Sequence, residues 1–294
     1  MKSLTRVNRL VRLLTLPLVF MAASAQASSA VWLVEKDGHR MYLGGTMHML
    51  SADDYPLPRA YEQAYGESSR IVFETDISEL SNPSFIMYMM SEVKFENGVS
   101  LRQKVSAETW QALEEFFTSR GVPMSSIEIF KPGMVALQMT MVELQRLGVS
   151  AAGVDMHFYQ RALTDGKPLG KLETAREQIA FLANMGAGQE DEMLLYSLAD
   201  VERLPELWKT MTQAWRSGDL EWLDRELAQP MREDFPEVFE SLMVKRNNAW
   251  MPQLEAMSHT PEVEFVLVGA MHLSGEEGLL DMLAAQGHTI TQLP

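Results

Sequence analysis

Short runs of apolar residues alternate along the chain with longer stretches in which apolar residues recur every three or four positions. The first pattern predicts buried strands and the second predicts amphipathic helices. Asp37-Gly38 lies between the first two runs and predicts a tight hairpin. The strand candidates are residues 31–34, 41–43, 70–76, 264–272 and, more weakly, 167–173.

The regions between these runs have helical periodicity. Proline residues at 205, 230, 236 and 252 are expected to break the last of them. Continuous apolar strands are typical of a sheet that is covered on both faces, so the pattern predicts an α/β fold with a mixed, largely parallel central sheet and an inserted helical subdomain. We expect residues 28–294 to form one domain, with 83–150 and 176–258 as mainly helical insertions. The predicted helices are 59–65, 110–120, 134–147, 175–185 and much of 191–257.

The first 27 residues have the three parts of a secretory signal peptide. Lys2 and three arginines precede an apolar stretch at 13–23, and Ala25-Gln26-Ala27 then resembles a cleavage site. The apolar stretch is shorter than the ~20 residues that a spanning helix needs. We therefore expect a protein exported to a periplasm or secreted, with no stable membrane span after cleavage. An uncleaved N-terminal anchor is the alternative.

Charge and cysteine content exclude several functions. The 294 residues carry a net charge of −15, which argues against binding the phosphate backbone of a nucleic acid. Cysteine is absent, so disulfides, thiolate metal sites and cysteine nucleophiles are excluded. The sequence also lacks the zinc helix of thermolysin-like proteases, the nucleophile elbow of serine hydrolases and the phosphate-binding P-loop.

Two similar motifs follow two of the predicted strands. Gly45-Thr46-Met47-His48 and Gly269-Ala270-Met271-His272 both read Gly-x-Met-His, and both precede Leu or Met-Leu. Open α/β sheets place their sites beyond the carboxyl ends of strands, so the two histidines are expected to converge there. The similarity also suggests an internal duplication with pseudo-twofold symmetry.

Carboxylates occupy comparable positions in the sequence. Glu74 and Asp76 follow one strand candidate, and Glu173 follows another. Two imidazoles and a carboxylate are a suitable ligand set for a divalent ion, which activates water for hydrolysis. The alternative is that Glu74 and Glu173 cap the following helices or pair with an arginine. Asp155 is expected either to cap or brace the adjacent helix or, as the favoured role, to hold a ligating histidine, whereas the role of neighbouring His157 is left open.

The 22 methionines of the chain suggest other functions. Their helical spacing with Leu and Trp favours core packing or a plastic groove over copper binding. A non-catalytic protein that binds a peptide, haem or a metal remains an alternative to an enzyme. So does a partner-binding role of the Met-rich helices, which include Met139 and Met141.

The segments that carry these motifs resemble the TraB/GumN family. The likeness covers the chain from about Val31 to the C-terminus. Its most specific parts are the paired Gly-x-x-His motifs and the Glu between them. The resembling segments are Trp32-Leu33-Val34, residues 42–48, Tyr55-Pro56-Leu57-Pro58, residues 72–76, Gly153-Val154-Asp155, Leu172-Glu173-Thr174, Gln178, Arg246-Asn247 and residues 268–272.

That family is similar to Tiki proteins, which are metal-dependent proteases, and is related to the ChaN-like and erythromycin-esterase-like fold. The resemblance implies a metal site of His48, Glu74 and His272 that holds Mn, Co or Zn, and a peptide or protein substrate. Glu173 is the expected proton acceptor. Arg246 is expected to bind a substrate carboxylate or the oxyanion, or else to form a structural ion pair. Gly133 departs from relatives that carry an aromatic residue after the proline.

Overall fold

A six-stranded sheet forms the centre of the molecule. The computed structural model describes residues 28–294, so the predicted signal peptide, residues 1–27, lies outside the described part. The sheet order is β6-β4-β7-β2-β1-β8, and β3 and β5 form a separate two-stranded ladder. The strands are β1 (Val31–Lys36), β2 (His39–Thr46), β3 (Met49–Leu50), β4 (Arg70–Phe73), β5 (Ala151–Ala152), β6 (Leu169–Lys171), β7 (Glu264–Gly269) and β8 (Thr289–Gln292).

Four neighbouring strands of the sheet are parallel. β6, β4, β7 and β2 run in one direction, and β1 pairs antiparallel with both β2 and β8. This confirms the predicted α/β class with a mixed, largely parallel sheet. The predicted hairpin joins β1 and β2, where Asp37 and Gly38 both have positive φ angles, as the tight turn requires.

Helices cover the sheet and form an additional layer beside it. The α-helices are α1 (Arg59–Glu67), α2 (Pro83–Glu92), α3 (Ala107–Ser119), α4 (Pro132–Arg146), α5 (Val154–Asp165), α6 (Ala175–Asn184), α7 (Glu190–Ser217), α8 (Leu220–Leu223), α9 (Gln229–Asp234), α10 (Pro236–Phe239), α11 (Lys245–Met257) and α12 (Leu279–Ala285). Two π-helical segments, Asp224–Ala228 and Glu240–Val244, lie between α8 and α11. Short 3-10 turns include Ile77–Ser81 and Ala270–Leu273.

Two large hydrophobic cores stabilise these layers. The first lies around the sheet and contains β2, β4 and β7 with α1, α5 and parts of α7 and α11. The second is formed by α2, α3, α4, α6 and the first half of α7, within and beside the predicted insertion at 83–150. The helical layer therefore has an apolar interior of its own beside the sheet.

Proline positions corrected part of the prediction. Pro205 lies inside α7 and Pro252 inside α11, and neither ends its helix. Both prolines are on the exposed side of the helix, where water can reach the carbonyl group that proline leaves without its backbone donor. Pro236 instead lies in the first turn of α10, after the non-helical Phe235, where the missing backbone donor is not needed. Pro230 directly follows the π-helical segment Asp224–Ala228 and does not interrupt the helical residues 220–234.

Within residues 28–294 we find no helix that is both long enough and apolar enough to cross a membrane.

Candidate active site

The carboxyl ends of the four parallel strands meet at one edge of the sheet. In the paired strands Thr46 lies opposite Gly269, and Phe73 lies opposite both Leu267 and Lys171. The four predicted site residues come one to three positions after these strand ends: His48, Glu74, Glu173 and His272. The structure therefore brings together side chains that are up to 224 residues apart in sequence.

His48 lies in the turn after β2, and its position is fixed from two sides. The carbonyl of Gly45 accepts hydrogen bonds from Trp215 Nε1, at 2.8 Å, and from the Tyr61 hydroxyl. On the other side, Gly153 packs so closely that a Cβ there would overlap the His48 carbonyl. The end of β2 and the following turn therefore have little freedom to shift.

The His48 ring pairs with Asp155, which corresponds to the second of the two roles considered for this carboxylate. Nδ1 lies 2.9 Å from Asp155 Oδ2, at the start of α5. This carboxylate raises the pKa of His48 above its ordinary value. The ring itself is 70% exposed, so it lies at the open side of the site. The Asp155 contact leaves Nε2 as the ring nitrogen available to a ligand.

Glu74 lies at the buried centre of the cluster. One carboxylate oxygen accepts the Gly269 N–H at 2.6 Å, and the other accepts Arg246 Nη2 at 2.7 Å and Gln178 Nε2 at 3.4 Å. Burial raises the pKa of this carboxyl group, but the positive charges of Arg246 and His48 and the Gly269 N–H lower it more, and the net pKa is well below the ordinary value. Glu74 is therefore a buried, ionised carboxylate.

His272 is buried, and both of its ring nitrogens are engaged. Nδ1 lies 2.7 Å from Asn247 Oδ1, and Nε2 lies 3.0 Å from Arg246 Nη1. The Asn247 amide nitrogen donates to the carbonyls of His272 and Glu277, which assigns its oxygen to face the ring. Nδ1 is then the protonated nitrogen and Nε2 the acceptor, since a guanidinium only donates. Burial lowers the pKa of His272, and the ring is neutral.

Arg246 joins the two buried carboxylates. Its Nε and Nη2 donate to the two oxygens of Glu173 at 3.0 and 2.8 Å, while Nη2 also bonds Glu74. Trp250 Nε1 donates to Glu173 at 3.2 Å. This arrangement is a structural ion pair, one of the two roles expected for Arg246. Burial raises the pKa of Glu173, and its carboxylate is buried behind the arginine.

The buried charges of this cluster do not balance. Glu74 and Glu173 share the single guanidinium of Arg246, while His272 is neutral and His48 is paired with Asp155, so a metal at His48 Nε2 would have to displace the proton of that ring. One negative charge therefore remains, which favours an added cation. Both imidazoles also have Nδ1 held by a side-chain oxygen, which is the arrangement that orients ligating histidines. The donor set thus suits a divalent ion.

The present arrangement is not itself a coordination sphere. Across residues 28–294, no group of three or more His, Asp and Glu side chains is arranged to hold a metal. Arg246 explains this locally, because its Nη1 occupies the lone pair of His272 Nε2. A cation and this guanidinium cannot share that lone pair, so binding at His272 requires the hydrogen bond to break.

Two cavities adjoin the cluster, and each is lined mostly by apolar side chains. Their volumes are about 440 and 470 Å³, within the range of small-molecule sites. His48, Glu74 and Arg246 line both cavities, and His272 lines the first. Glu173 lines neither of them. The cluster is therefore accessible from both cavities.

Some neighbouring residues proved to lie outside the site. Asp76 caps the turn that begins at Ile77 and pairs with Lys171, so it has the helix-capping role considered above. His157 packs its ring against Tyr55 and Phe158. Gly133 is buried, and a Cβ there would overlap the Leu182 carbonyl. An aromatic residue cannot be accommodated at 133 while α4 and α6 pack this closely.

The sequence pattern did not assign roles to Asn247, Trp250 or Gln178. Asn247 and Trp250 lie on α11, one turn or less from Arg246, and Gln178 lies on α6. No local pattern distinguishes an amide that orients a histidine from an ordinary helical Asn. The family resemblance includes Gln178 and Asn247, and the helical spacing from Arg246 could have indicated Trp250.

The fold and this cluster define an α/β protein with a histidine–carboxylate–arginine site at the carboxyl edge of its sheet, beneath a helical layer. The TraB/PrgY/gumN family model matches residues 30–292, and the chain belongs to this family. The uncharacterized protein YbaP of Escherichia coli (strain K12) is 28% identical over 253 residues, which cover 82% of this chain and 87% of that protein. YbaP of Shigella flexneri matches with the same values. No solved structure matches this chain significantly.

Proposed function

We propose that this protein is an exported metal-dependent hydrolase that acts on peptides, with His48, His272 and Glu74 as the ligands of one divalent ion (Mn, Co or Zn). The observation that carries the proposal is the convergence of two imidazoles, each held at Nδ1, with a buried carboxylate in a cluster that has excess negative charge. Basic residues and an apolar stretch before Ala27 support export.

The ligand residues are oriented by their neighbours. Asp155 holds His48 and Asn247 holds His272, so each ring presents Nε2 to the ligand. The Gly269 N–H fixes one oxygen of Glu74. The bound ion would polarise a substrate carbonyl and lower the pKa of a coordinated water.

Arg246 and Glu173 have supporting roles in this proposal. When Arg246 is displaced from His272, its guanidinium can donate to the carbonyl oxygen that becomes negatively charged during hydrolysis. Glu173 was predicted to accept a proton, and that role stays a prediction. Because both of its oxygens accept hydrogen bonds from Arg246, we propose that it positions this arginine.

Elemental analysis together with a hydrolysis assay tests the proposal. The wild-type protein, His48→Ala and the control His39→Ala are purified without chelator, and bound Mn, Co and Zn are measured. Hydrolysis of fluorescently labelled casein is then followed for each protein with added Mn²⁺. His39 is a matched control because it lies in the β1–β2 hairpin and lines neither cavity.

We expect about one metal equivalent and hydrolysis in the wild type and in His39→Ala, and loss of both in His48→Ala. Equal metal content and equal hydrolysis in all three proteins would refute the ligand assignment. Metal binding without hydrolysis of any peptide would instead favour the non-catalytic binding protein.

A further inference from the structure

The indole ring of Trp250 contacts three members of the charged cluster. Its Nε1 donates to Glu173 Oε2 at 3.2 Å, and its ring centroid lies 4.7 Å from Arg246 Cζ. The same ring lies 4.5 Å from the His272 ring, measured between centroids, with 47° between the two planes. Trp250 is fully buried and lines neither of the two cavities. A ligand in these cavities therefore meets the cluster and not this indole.

The helix α11 determines where the indole lies. Trp250 follows Arg246 by four residues and Asn247 by three, so both lie next to it on the helix surface. Farther along the helix, Gln253 Nε2 donates to the Leu172 carbonyl at 2.6 Å. This hydrogen bond fixes α11 against the segment that follows β6. The indole and its carboxylate partner, which lies on that segment, therefore have a defined spacing.

The Arg246 guanidinium is within cation–π distance of two aromatic rings that differ in their surroundings. Trp250 is fully buried and lies 4.7 Å from Cζ, whereas Phe181 of α6 lies 5.9 Å away and lines the cavity of about 470 Å³. Indole attracts a cation more strongly than phenyl does, and the attraction grows where water is excluded. Trp250 is the nearer and the drier of the two rings, so it holds the guanidinium beside Glu173 and His272.

The carboxylate of Glu173 does not depend on Arg246 alone. Its Oε1 accepts from Arg246 Nη2, and its Oε2 accepts from both Arg246 Nε and Trp250 Nε1. If the arginine moves away, the indole N–H still holds one carboxylate oxygen. Trp250 and Glu173 therefore form a fixed pair against which the guanidinium is placed.

We propose that Trp250 is a positioning residue: it holds Arg246 on His272 Nε2 and thereby sets how easily a divalent ion displaces the guanidinium. This role rests on the proposed function, in which the ion needs the same lone pair. Trp250 touches neither the cavities nor that lone pair, and it acts through Arg246. Its effect on metal binding therefore depends on Arg246, which distinguishes it from a residue that only fills the core.

Hydrogen exchange in the metal-free protein tests the positioning itself. The Nε–H of Arg246 donates to Glu173 and is followed by NMR in isotope-labelled protein, where Arg246→Lys identifies its signal by removing it. We expect slow exchange in the wild type and at least about tenfold faster exchange in Trp250→Phe, because phenyl attracts the guanidinium less and cannot hold the carboxylate.

The matched control makes the same substitution elsewhere. Trp222 lies on α8 and lines neither cavity, so Trp222→Phe should leave the exchange of Arg246 Nε–H as slow as in the wild type. Slow exchange in a folded Trp250→Phe protein would overturn the positioning role.

A double-mutant cycle on Mn²⁺ affinity tests whether Trp250 acts through Arg246. Trp250→Phe should raise the affinity about threefold or more when Arg246 is present, because a guanidinium that is held less firmly is displaced more easily. In the Arg246→Met background the same substitution should leave the affinity unchanged. An equal effect in both backgrounds would show that Trp250 only supports the core, and it would overturn the proposal.

A variant of the second ring covers the case in which Trp250→Phe does not fold. Phe181→Leu removes the weaker aromatic partner of Arg246 and should leave its Nε–H in slow exchange, whereas fast exchange in this variant would contradict the role of Trp250. The outcomes also separate this role from the proposed function. A protein that binds no Mn²⁺ but exchanges faster in Trp250→Phe would refute the metal site while supporting the positioning of Arg246 by Trp250.

Discussion

Arg246 Nη1 lies 3.0 Å from His272 Nε2 and donates its hydrogen to the ring nitrogen that a metal would need. The other ring nitrogen, Nδ1, is protonated and donates to Asn247 Oδ1. Nε2 therefore carries the only lone pair of this ring that could bind a metal. The arginine therefore behaves as a counter-cation of the cluster: it partly neutralises Glu74 and Glu173 when no other cation does. A bound ion and this guanidinium compete for the same site.

Replacing this arginine should weaken the metal-free protein and favour the metal-bound one. Arg246→Met leaves two buried carboxylates without a partner, so we expect the free energy of unfolding to fall by about 3 kcal/mol at neutral pH. The same change removes a competing positive charge next to the ligands, and Mn²⁺ should bind about tenfold or more tightly. Urea unfolding with and without Mn²⁺, and calorimetric titration, measure the two effects.

An exposed arginine provides the control. Arg225 pairs with Glu226 and is 53% exposed, so Arg225→Met should change the free energy of unfolding by less than about 1 kcal/mol. If Arg246→Met were as stable as wild type and bound Mn²⁺ no more tightly, the competition between guanidinium and cation would be refuted.

Asn247 should matter for metal affinity through His272. Its side-chain oxygen keeps the proton on Nδ1, so Asn247→Leu frees the ring to rotate or to change tautomer. Loss of such a partner lowers metal affinity by about 10- to 100-fold. Titration with Mn²⁺ measures the change. Asn184→Leu, at the exposed end of α6, should leave the affinity unaltered, and equal affinity in both variants would contradict the orienting role.

The parts of the site that follow strand ends could be predicted from the sequence. A run of apolar residues ending in Gly or a carboxylate identifies both the strand and its polar end, so the sequence predicts that His48, Glu74 and His272 lie at one edge of the sheet. The bonding of Arg246 could not be predicted, because it lies on α11 and reaches two carboxylates that are 73 and 172 residues away.

The missed elements have a similar physical explanation. β8 has the sequence Thr-Ile-Thr-Gln, and its pairing with β1 at the edge of the sheet leaves it largely exposed, so no apolar run indicates it. The continuity of α7 through Pro205 depends on packing of this helix against α4, which a local proline signal cannot reveal. In both cases the secondary structure depends on tertiary contacts that the local sequence does not show.

Glu264 provides a pH-dependent prediction away from the candidate site. It is 3% exposed at the start of β7, one of its oxygens has no partner within residues 28–294, and burial raises the pKa of its carboxyl group. Because the pKa of Glu264 is raised in the folded state, the ionised carboxylate lowers the free energy of unfolding at pH values above its ordinary pKa. This destabilisation disappears at lower pH, where the carboxyl group is protonated in both states. We expect Glu264→Gln to increase the free energy of unfolding by about 1 kcal/mol at pH 7.

Urea unfolding from pH 3 to pH 8 checks this prediction. The gain should shrink as the pH falls toward the ordinary pKa of a glutamate, near 4. Glu262→Gln changes an exposed carboxylate two residues earlier and should have little effect at any pH. A gain for Glu264→Gln that did not depend on pH would show that ionisation is not its cause.

Gly153 should be required for the position of His48. A Cβ at residue 153 would overlap the carbonyl groups of Met47 and His48, and these are backbone atoms that cannot rotate away. Gly153→Ala must therefore displace the turn after β2, while the sheet is held by its own core. We expect loss of metal binding together with a cooperative unfolding transition.

Gly66→Ala is the matched control, because a Cβ in that helical position meets no atom within 4 Å and alanine favours helix by about 1 kcal/mol. Unchanged Mn²⁺ affinity in folded Gly153→Ala would show that the position of His48 does not determine binding.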